Sequence, residues 1–311
     1  MILLDPSTGE LTSAGTYPVP LAFHTATALA DGRVFVAGGL TGAAAALQPT
    51  TAARIVDPAA SFAVSPAPVP LAGPRAGHRA VFAPASGGVL IVGGGTGGGQ
   101  AEFWTPSGSQ LVLPSQPRVN HTLTYLPDLE RAIALGGELP GAQVDNSFEV
   151  FDLSSGAVSL GLTAVPADSQ RTLHGAIYLQ DSGRLYAVGG FRDGAHTQAI
   201  SSLLVWDRQT QAIFVDSVAL EAPRGAPSLV PLPDGSGFVV AGGVNATGLL
   251  AAAEAAVVLP GLPPTNTPQT AIATAPEPSA TFVLAPVVAS GAGPLLWAPV
   301  GTPASALVYA D

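Results

Sequence analysis

The chain of 311 residues contains no cysteine and no lysine. The first absence excludes disulfides, thiolate-bound zinc and thiol nucleophiles, though it fixes no compartment. The second leaves eleven arginines against 21 acidic residues, a formal charge of −10. An acidic chain with no basic run matches a phosphate backbone poorly, so no nucleic acid partner is expected. Charged residues of all kinds reach only 10%, while apolar ones make up 47%, so most of the chain must be buried or tightly turned. Unbroken apolar runs are missing as well. The longest candidate, "ATFVLAPVVASGAGPLLWAPV" at 280–300, is interrupted by two glycines and three prolines, and reads as two short buried strands with no membrane span. Met1 leads into "ILLDPSTGE" with neither the basic segment nor the apolar core of a leader peptide. What is abundant is Gly, 37 residues, and Pro, 30, which together call for many turns and few long helices.

The glycines are in register. Diglycines close the apolar runs "DGRVFVAGG", "GGVLIVGGG", "ERAIALGG", "SGRLYAVGG" and "GSGFVVAGG", as Gly38–Gly39, Gly93–Gly94, Gly136–Gly137, Gly189–Gly190 and Gly242–Gly243. An upstream element keeps the same step: "PLAFH" at 20–24, "PRAGH" at 74–78, "PRVNH" at 117–121, "QRTLH" at 170–174 and "PRGAP" at 223–227. A third element follows each pair: "RIVDP", "EFWTP", "EVFDL", "LVWDR" and "VVLPG". Short β-rich runs separated by turn residues, copied at a period near 50, predict a repeat of small antiparallel sheets. The one stretch that favours helix is the alanine-rich "GLLAAAEAA" at 248–256.

Pro-Arg-x-x-His, two strands, Gly-Gly and an apolar strand ending near Asp resemble the kelch repeat, in a divergent form whose usual tryptophan after the third strand is eroded. The resemblance implies an all-β, six-bladed β-propeller of four-stranded antiparallel blades. The blades would occupy 20–70, 74–116, 117–168, 170–222, 223–272 and 276–311, the last completed by 1–16 so that strands from both termini close the ring. "ILLDP" at 2–6 and "ALVYAD" at 306–311 both look like third strands of that last blade. The absence of lysine with much Ala, Gly and Pro suggests a GC-rich bacterium, and a secreted, periplasmic or cell-surface location is favoured over the cytoplasm.

Two sets of residues recur with the repeat. His24, His78, His121 and His174 share one position, as structural residues that hydrogen-bond between neighbouring blades; a ring around a wide axis is too open for metal ligation, and no metal or cofactor is expected. Arg75, Arg118, Arg171 and Arg224 share another. The resemblance implies that arginines here line the mouth of the channel and grip acidic groups; alternatively, each ties down its own loop through carbonyls or a nearby carboxylate. The long loops after the diglycines add Glu138, Asp145, Arg192, Asp193, His196 and Asn245 to the expected partner-binding face. "GGGTGG" at 93–98 satisfies a dinucleotide-binding pattern, but "QAEFWTP" after it reads as strand where a helix is needed. No catalytic constellation emerges, and copper-radical oxidation of the galactose-oxidase type is excluded with cysteine. The expected function is non-catalytic recognition of a protein or glycan. The alternatives are a sugar mutarotase or epimerase using an arginine and Glu138 or Asp193, and a structural domain of a larger cell-surface assembly.

Overall fold

The structure, a computed structural model, describes residues 1–43, 46–94, 100–108, 110–154, 158–167, 169–258 and 270–273. Among them the only helical element is a 3-10 turn, Pro58–Ala60. An N-terminal hairpin joins β1 (Ile2–Leu4) to β2 (Leu11–Ser13). The first sheet follows: β3 (Thr25–Ala28), β4 (Val34–Ala37), a small hairpin of β5 (Leu40–Thr41) and β6 (Gln48–Pro49), then β7 (Ala53–Asp57) and β8 (Ala63–Pro66). The second comprises β9 (Arg79–Ala83), β10 (Gly88–Val92), β11 (Gln100–Trp104) and β12 (Gln110–Pro114). The third has β13 (Thr122–Leu126), β14 (Arg131–Leu135), the hairpin β15 (Glu138–Leu139) and β16 (Gln143–Val144), β17 (Ser147–Asp152) and β18 (Val158–Ala164). The fourth has β19 (Gly175–Leu179), β20 (Arg184–Val188), β21 (Ser202–Asp207) and β22 (Ile213–Ala219). The fifth has β23 (Ser228–Pro231), β24 (Gly237–Ala241), the hairpin β25 (Val244–Asn245) and β26 (Gly248–Leu249), β27 (Ala253–Val258) and β28 (Thr270–Ala273).

Within each of these five four-stranded sheets, spatial order follows chain order and every pairing is antiparallel. No sheet closes into a barrel. The first strands β3, β9, β13, β19 and β23 touch in succession, so the sheets converge along their inner edges. "GLLAAAEAA" is not helical: it closes the β25–β26 hairpin and enters β27, where Glu254 and Ala256 are buried. Tertiary burial overrides alanine's local preference. The expected sixth unit, 276–311, and the apolar stretch 280–300 lie outside the described residues. No helix among those described is long and apolar enough to cross a membrane.

The second strands of the second, third and fourth sheets read as nearly continuous apolar runs because both of their faces are covered. In β10, Val89 and Ile91 point into a core shared with Phe35, Ile55 and Trp104 of the first and second sheets. Leu90 and Val92 point the other way, against Ala132, Ala134 and Phe151 of the third. Two further cores repeat the plan, with Leu135, Phe148, Leu185 and Trp206 between the third and fourth sheets and Tyr186, Val205, Phe238 and Val240 between the fourth and fifth. Aromatic pairs sit inside two of them: Phe35 stacks on Trp104 at 4.0 Å, and Tyr186 meets Phe238 at 5.3 Å. Each fully buried side chain of this kind stabilises the fold by about 1.5–3 kcal/mol.

The diglycines lie where one sheet meets the next. The second glycine of each of the first four pairs donates its N–H to the carbonyl of the following repeat's arginine: Gly39 to Arg75, Gly94 to Arg118, Gly137 to Arg171 and Gly190 to Arg224, at 2.8–2.9 Å. Gly93 shows why no side chain fits. Its φ is +75°, and a Cβ there would overlap the Arg118 carbonyl oxygen and stand 2.7 Å from the His121 ring. Gly93→Ala is therefore expected to cost about 2 kcal/mol or more, since clash adds to backbone strain. Gly87→Ala, with φ of +65° but nothing within 4 Å, should cost about half as much. Urea unfolding of the two variants checks this, and equal losses would contradict the account.

Candidate functional site

The four recurring arginines are buried, at 3% exposure for Arg75 and 0% for Arg118, Arg171 and Arg224. They cannot form the ligand-gripping face expected of them. Each guanidinium turns inward and donates to the carbonyl of its own sheet's first glycine: Arg75 to Gly93, Arg118 to Gly136, Arg171 to Gly189 and Arg224 to Gly242, at 2.9–3.2 Å. Three of them also meet a carboxylate on the third strand. Arg75 pairs with Glu102 at 2.5 Å, Arg118 with Glu149 at 3.1 Å and Asp145 at 2.8 Å, and Arg224 with Glu254. Those glutamates in turn accept backbone N–H groups of the crossover before the arginine, as Glu102 does from Ala72 and Gly73. The alternative reading, that each arginine ties down its own loop, is the one the geometry follows.

Two sheets depart from this plan. In the fourth, Leu204 stands at the glutamate's register position, opposite Ala187, and Arg171 binds the carbonyls of Ala187, Gly189 and Ser202 with no carboxylate partner among the described residues. Burial without a counter-ion, and the nearby Arg192 charge, push its guanidinium down to about 9. In the first, Arg54 stands in the glutamate's place opposite Val36, Leu21 in the arginine's, and the buried Nε of Arg54 has no partner.

The recurring histidines are seam residues where they are buried. Thr25 Oγ1 of the first sheet meets His78 Nε2 of the second at 2.9 Å, and Thr122 Oγ1 of the third meets His174 Nε2 of the fourth at 2.8 Å. The hydrogen bonds across these seams go to side-chain hydroxyls where backbone was expected, and Nδ1 of both rings is buried without a partner. His121 breaks the series. Residue 79, where its threonine belongs, is arginine, and both ring nitrogens of His121 are buried without a hydrogen bond. Leaving such a group unsatisfied costs about 1–3 kcal/mol. Burial, with the Arg75 and Arg79 charges behind it, lowers His78 to about 3; burial holds His121 and His174 well below the ordinary value too. His24 is exposed and lines an apolar cleft beside the N-terminal hairpin.

The polar residues that converge on an accessible site lie at the seam of the third and fourth sheets. Glu138 opens β15 directly after Gly137. Its Oε1 accepts from Thr172 Oγ1 at 2.6 Å, His196 Nε2 at 2.8 Å and Asn120 Nδ2 at 3.1 Å. Its Oε2 has no hydrogen bond among the described residues and is not fully buried, although the residue as a whole is only 9% exposed. Burial would raise this carboxyl, but the three donors outweigh it and hold the group below its usual value. His196 is exposed, holds a left-handed φ of 57° and lies against Phe191 at 5.4 Å. Asn120, at φ 55°, occupies a repeat position that is left-handed in every unit: Phe23, Gly77, Asn120, Leu173 and Ala226. Backbone bonds link these positions across the seams, from Gly77 to Phe23, Leu173 to Asn120 and Ala226 to Leu173.

Of the loop residues singled out from sequence, Glu138 and His196 come together. Asp193 does not join them. It caps its own turn, accepting from Thr197 N, Thr197 Oγ1 and Gln198 N, which hold it below its usual value. Asn245 likewise caps the β25–β26 turn and donates to the Pro223 carbonyl. Arg192 is exposed, and Asp145 is buried on Arg118. Sequence reasoning missed Asn120 and Thr172, whose signal is that each is the polar variant at a repeat position otherwise apolar or small. It also missed Glu102, Glu149 and Glu254, although "EFWTP" and "EVFDL" both open on a glutamate and Glu254 lies three residues before "VVLPG".

Arg118→Met should lose about 3–5 kcal/mol, because it strands Glu149 and Asp145 as buried unpaired charges. Arg171→Met should lose less, having no carboxylate to strand. Denaturant midpoints decide this, and a larger loss at Arg171 would refute it. The neutral histidines set a pH dependence. The unfolded imidazole titrates near 6.5, while His78 in the fold holds out to about 3. Its stabilising contribution is complete above pH 6.5 and is lost progressively as pH falls toward 3, because the unfolded chain then takes up a proton that the fold refuses. Thermal midpoints taken from pH 7 down to 4 should fall, and by less in His78→Gln.

No known family profile and no curated protein matches the sequence. Among solved structures the chain is similar to that titled "Structure of YjhT", with a TM-score of 0.59 over 85% of this chain and 88% of that one, at 14% identity. Similarity at that level of identity is a likeness of fold and carries no ligand or activity with it.

Proposed function

We propose that the chain is a divergent kelch-like propeller of six blades and acts as a non-catalytic recognition module, binding a protein or a glycan at the end of the sheets that carries Glu138 and His196. The ring reading is supported by what the five sheets leave open. The outer face of the first sheet, with Val34, Val36 and Val56, borders a cleft of about 630 Å³ against the N-terminal hairpin. The far face of the fifth, with Val230, Val239 and Ala255, is only partly covered. Two apolar sheet faces fit a sixth blade between them, with β1 and β2 as its outer strands and 276–311 supplying the inner ones. That arrangement makes "ILLDP" the third strand of the last blade and leaves "ALVYAD" as an additional segment.

The observation that carries the functional reading is Glu138. Three donors from three chain segments fix one of its oxygens and leave the other without a hydrogen bond among the described residues. A partly buried carboxylate held in one orientation suits a donor-rich partner: sugar hydroxyls, or amide and ammonium groups of a protein. The repeat's own arginines and three of its histidines are buried at the seams, so recognition falls to the residues that vary between units. The carboxylate–imidazole contact at 2.8 Å also favours a second reading, a sugar mutarotase or epimerase in which this pair moves protons.

A panel of glycans and peptides titrated against the wild type, Glu138→Gln and His196→Ala separates the readings. Recognition expects a ligand whose affinity falls about tenfold in the variants, with unchanged thermal midpoints and no chemical conversion. Faster interconversion of sugar anomers by the wild type, absent in Glu138→Gln, would replace recognition with catalysis. Equal binding by all three proteins would remove this site from consideration.

A further inference from the structure

We propose that Arg79 forms an oxyanion site where the first strands converge, taking one carboxylate or phosphate group of a small ligand. The inference is independent of the reading of Glu138. It starts from a break in the repeat. The residue that opens the first strand is Thr25, Arg79, Thr122, Gly175 or Ser228, each paired with the residue before its sheet's first glycine. In the first and third sheets the threonine hydroxyl satisfies the next sheet's histidine. In the fifth unit, proline replaces the histidine, and the fourth sheet accordingly has glycine at the threonine position. Among the described sheets, only the second violates this matching: it keeps His121 to be satisfied and offers it Arg79, leaving both imidazole nitrogens buried and unpartnered. A repeat that gives up a buried hydrogen bond at one position gains nothing structural by it, and such local violations collect at functional sites.

What replaces the hydroxyl is a cation with unused donors. Arg79 is exposed, and its Nε donates to the His121 carbonyl at 3.0 Å, which anchors the side chain. Its two terminal nitrogens have no partner among the described residues, and no carboxylate there pairs with it. The five first strands read TATA, RAVFA, TLTYL, GAIYL and SLVP, so Arg79 is the one charged residue on all of them. Arg79 opens β9, which touches both β3 and β13 where the first strands converge, and its Nε bond to His121 carries the guanidinium to the next sheet; its charge acts on His78, His121 and His174 of three successive sheets. Each first strand is a sheet edge with one side unpaired, so backbone N–H groups face the same space. A planar cation held at Nε, with its outer fork free among apolar and hydroxyl side chains, binds an oxyanion through both terminal nitrogens. In a chain of net charge −10 it is a local positive focus.

The test uses the full chain and two probes, inorganic phosphate and acetate, with sodium chloride at matched ionic strength as reference. Thermal midpoints and calorimetric titration are read for the wild type, Arg79→Thr, Arg79→Gln and, as a surface-charge control, Arg33→Gln. Phosphate or acetate should raise the wild-type and Arg33→Gln midpoints beyond the chloride effect, and the stronger of the two identifies the group. Binding should weaken about tenfold or more in both Arg79 variants. Arg79→Thr should in addition have a higher midpoint than the wild type without any ligand, because it returns a hydroxyl to His121. Oxyanion shifts that survive in Arg79→Gln, or a wild type that responds to neither probe beyond chloride, would overturn the site. A lower midpoint in Arg79→Thr would overturn the argument from the broken repeat.

Discussion

Each of the four seams between the described sheets hangs on one arginine that belongs to two sheets at once. Its carbonyl takes the N–H of the preceding sheet's second glycine, and its guanidinium takes the carbonyl of its own sheet's first glycine. The glutamate behind it neutralises the charge and gathers the backbone donors of the crossover. A guanidinium is suited to this because its five donors lie in one plane and can serve several carbonyls and a carboxylate together. The diglycine is the other half of the joint, since backbones can approach this closely only where no Cβ intervenes. The apolar second strands then need only be flat and hydrophobic on both faces. Direction and spacing are imposed at the seam.

A network repeated this faithfully makes its exceptions informative. Leu204 removes the carboxylate from Arg171 and leaves that cation to carbonyls alone. In the first sheet, Leu21 and Arg54 invert the pair, and this is the sheet whose outer face borders the cleft beside the N-terminal hairpin. Arg79 separates His121 from a hydroxyl. Each of these is a loss for the scaffold taken by itself, and they differ from one another. Leu204 is buried and Arg54 half-buried, whereas Arg79 is exposed, with terminal nitrogens that have no partner among the described residues.

The same logic explains the placement of the Glu138 cluster. Glu138 follows directly on a diglycine, Asn120 and Thr172 flank two of the joining arginines, and His196 comes from the loop after the next diglycine. Rigid seams bring the roots of these segments together, and the loops need only supply the side chains. A carboxylate assembled across two sheets is therefore as fixed in position as the seam beneath it, although every residue contributing to it lies outside the regular strands or at their ends.

The all-β character, the unit length, the diglycine joints and the strands between them were legible in the sequence, because each depends on local geometry: φ, strand period and turn chemistry. Burial of the arginines was legible only as one of two alternatives. "PRVNH" shows an arginine beside a crossover, but its partner Glu149 lies 31 residues away, and only packing decides whether that carboxylate arrives before solvent or a ligand does. Asp193 and Glu138 looked equivalent as loop acids. A turn consumed the first, and the neighbouring sheet oriented the second. The sequence by itself determined which backbone shapes each segment could adopt, since those are set by residues a few positions apart. The tertiary structure alone decided which charges were spent inside the seams and which were left for something else to meet, because that depends on groups brought together from different sheets.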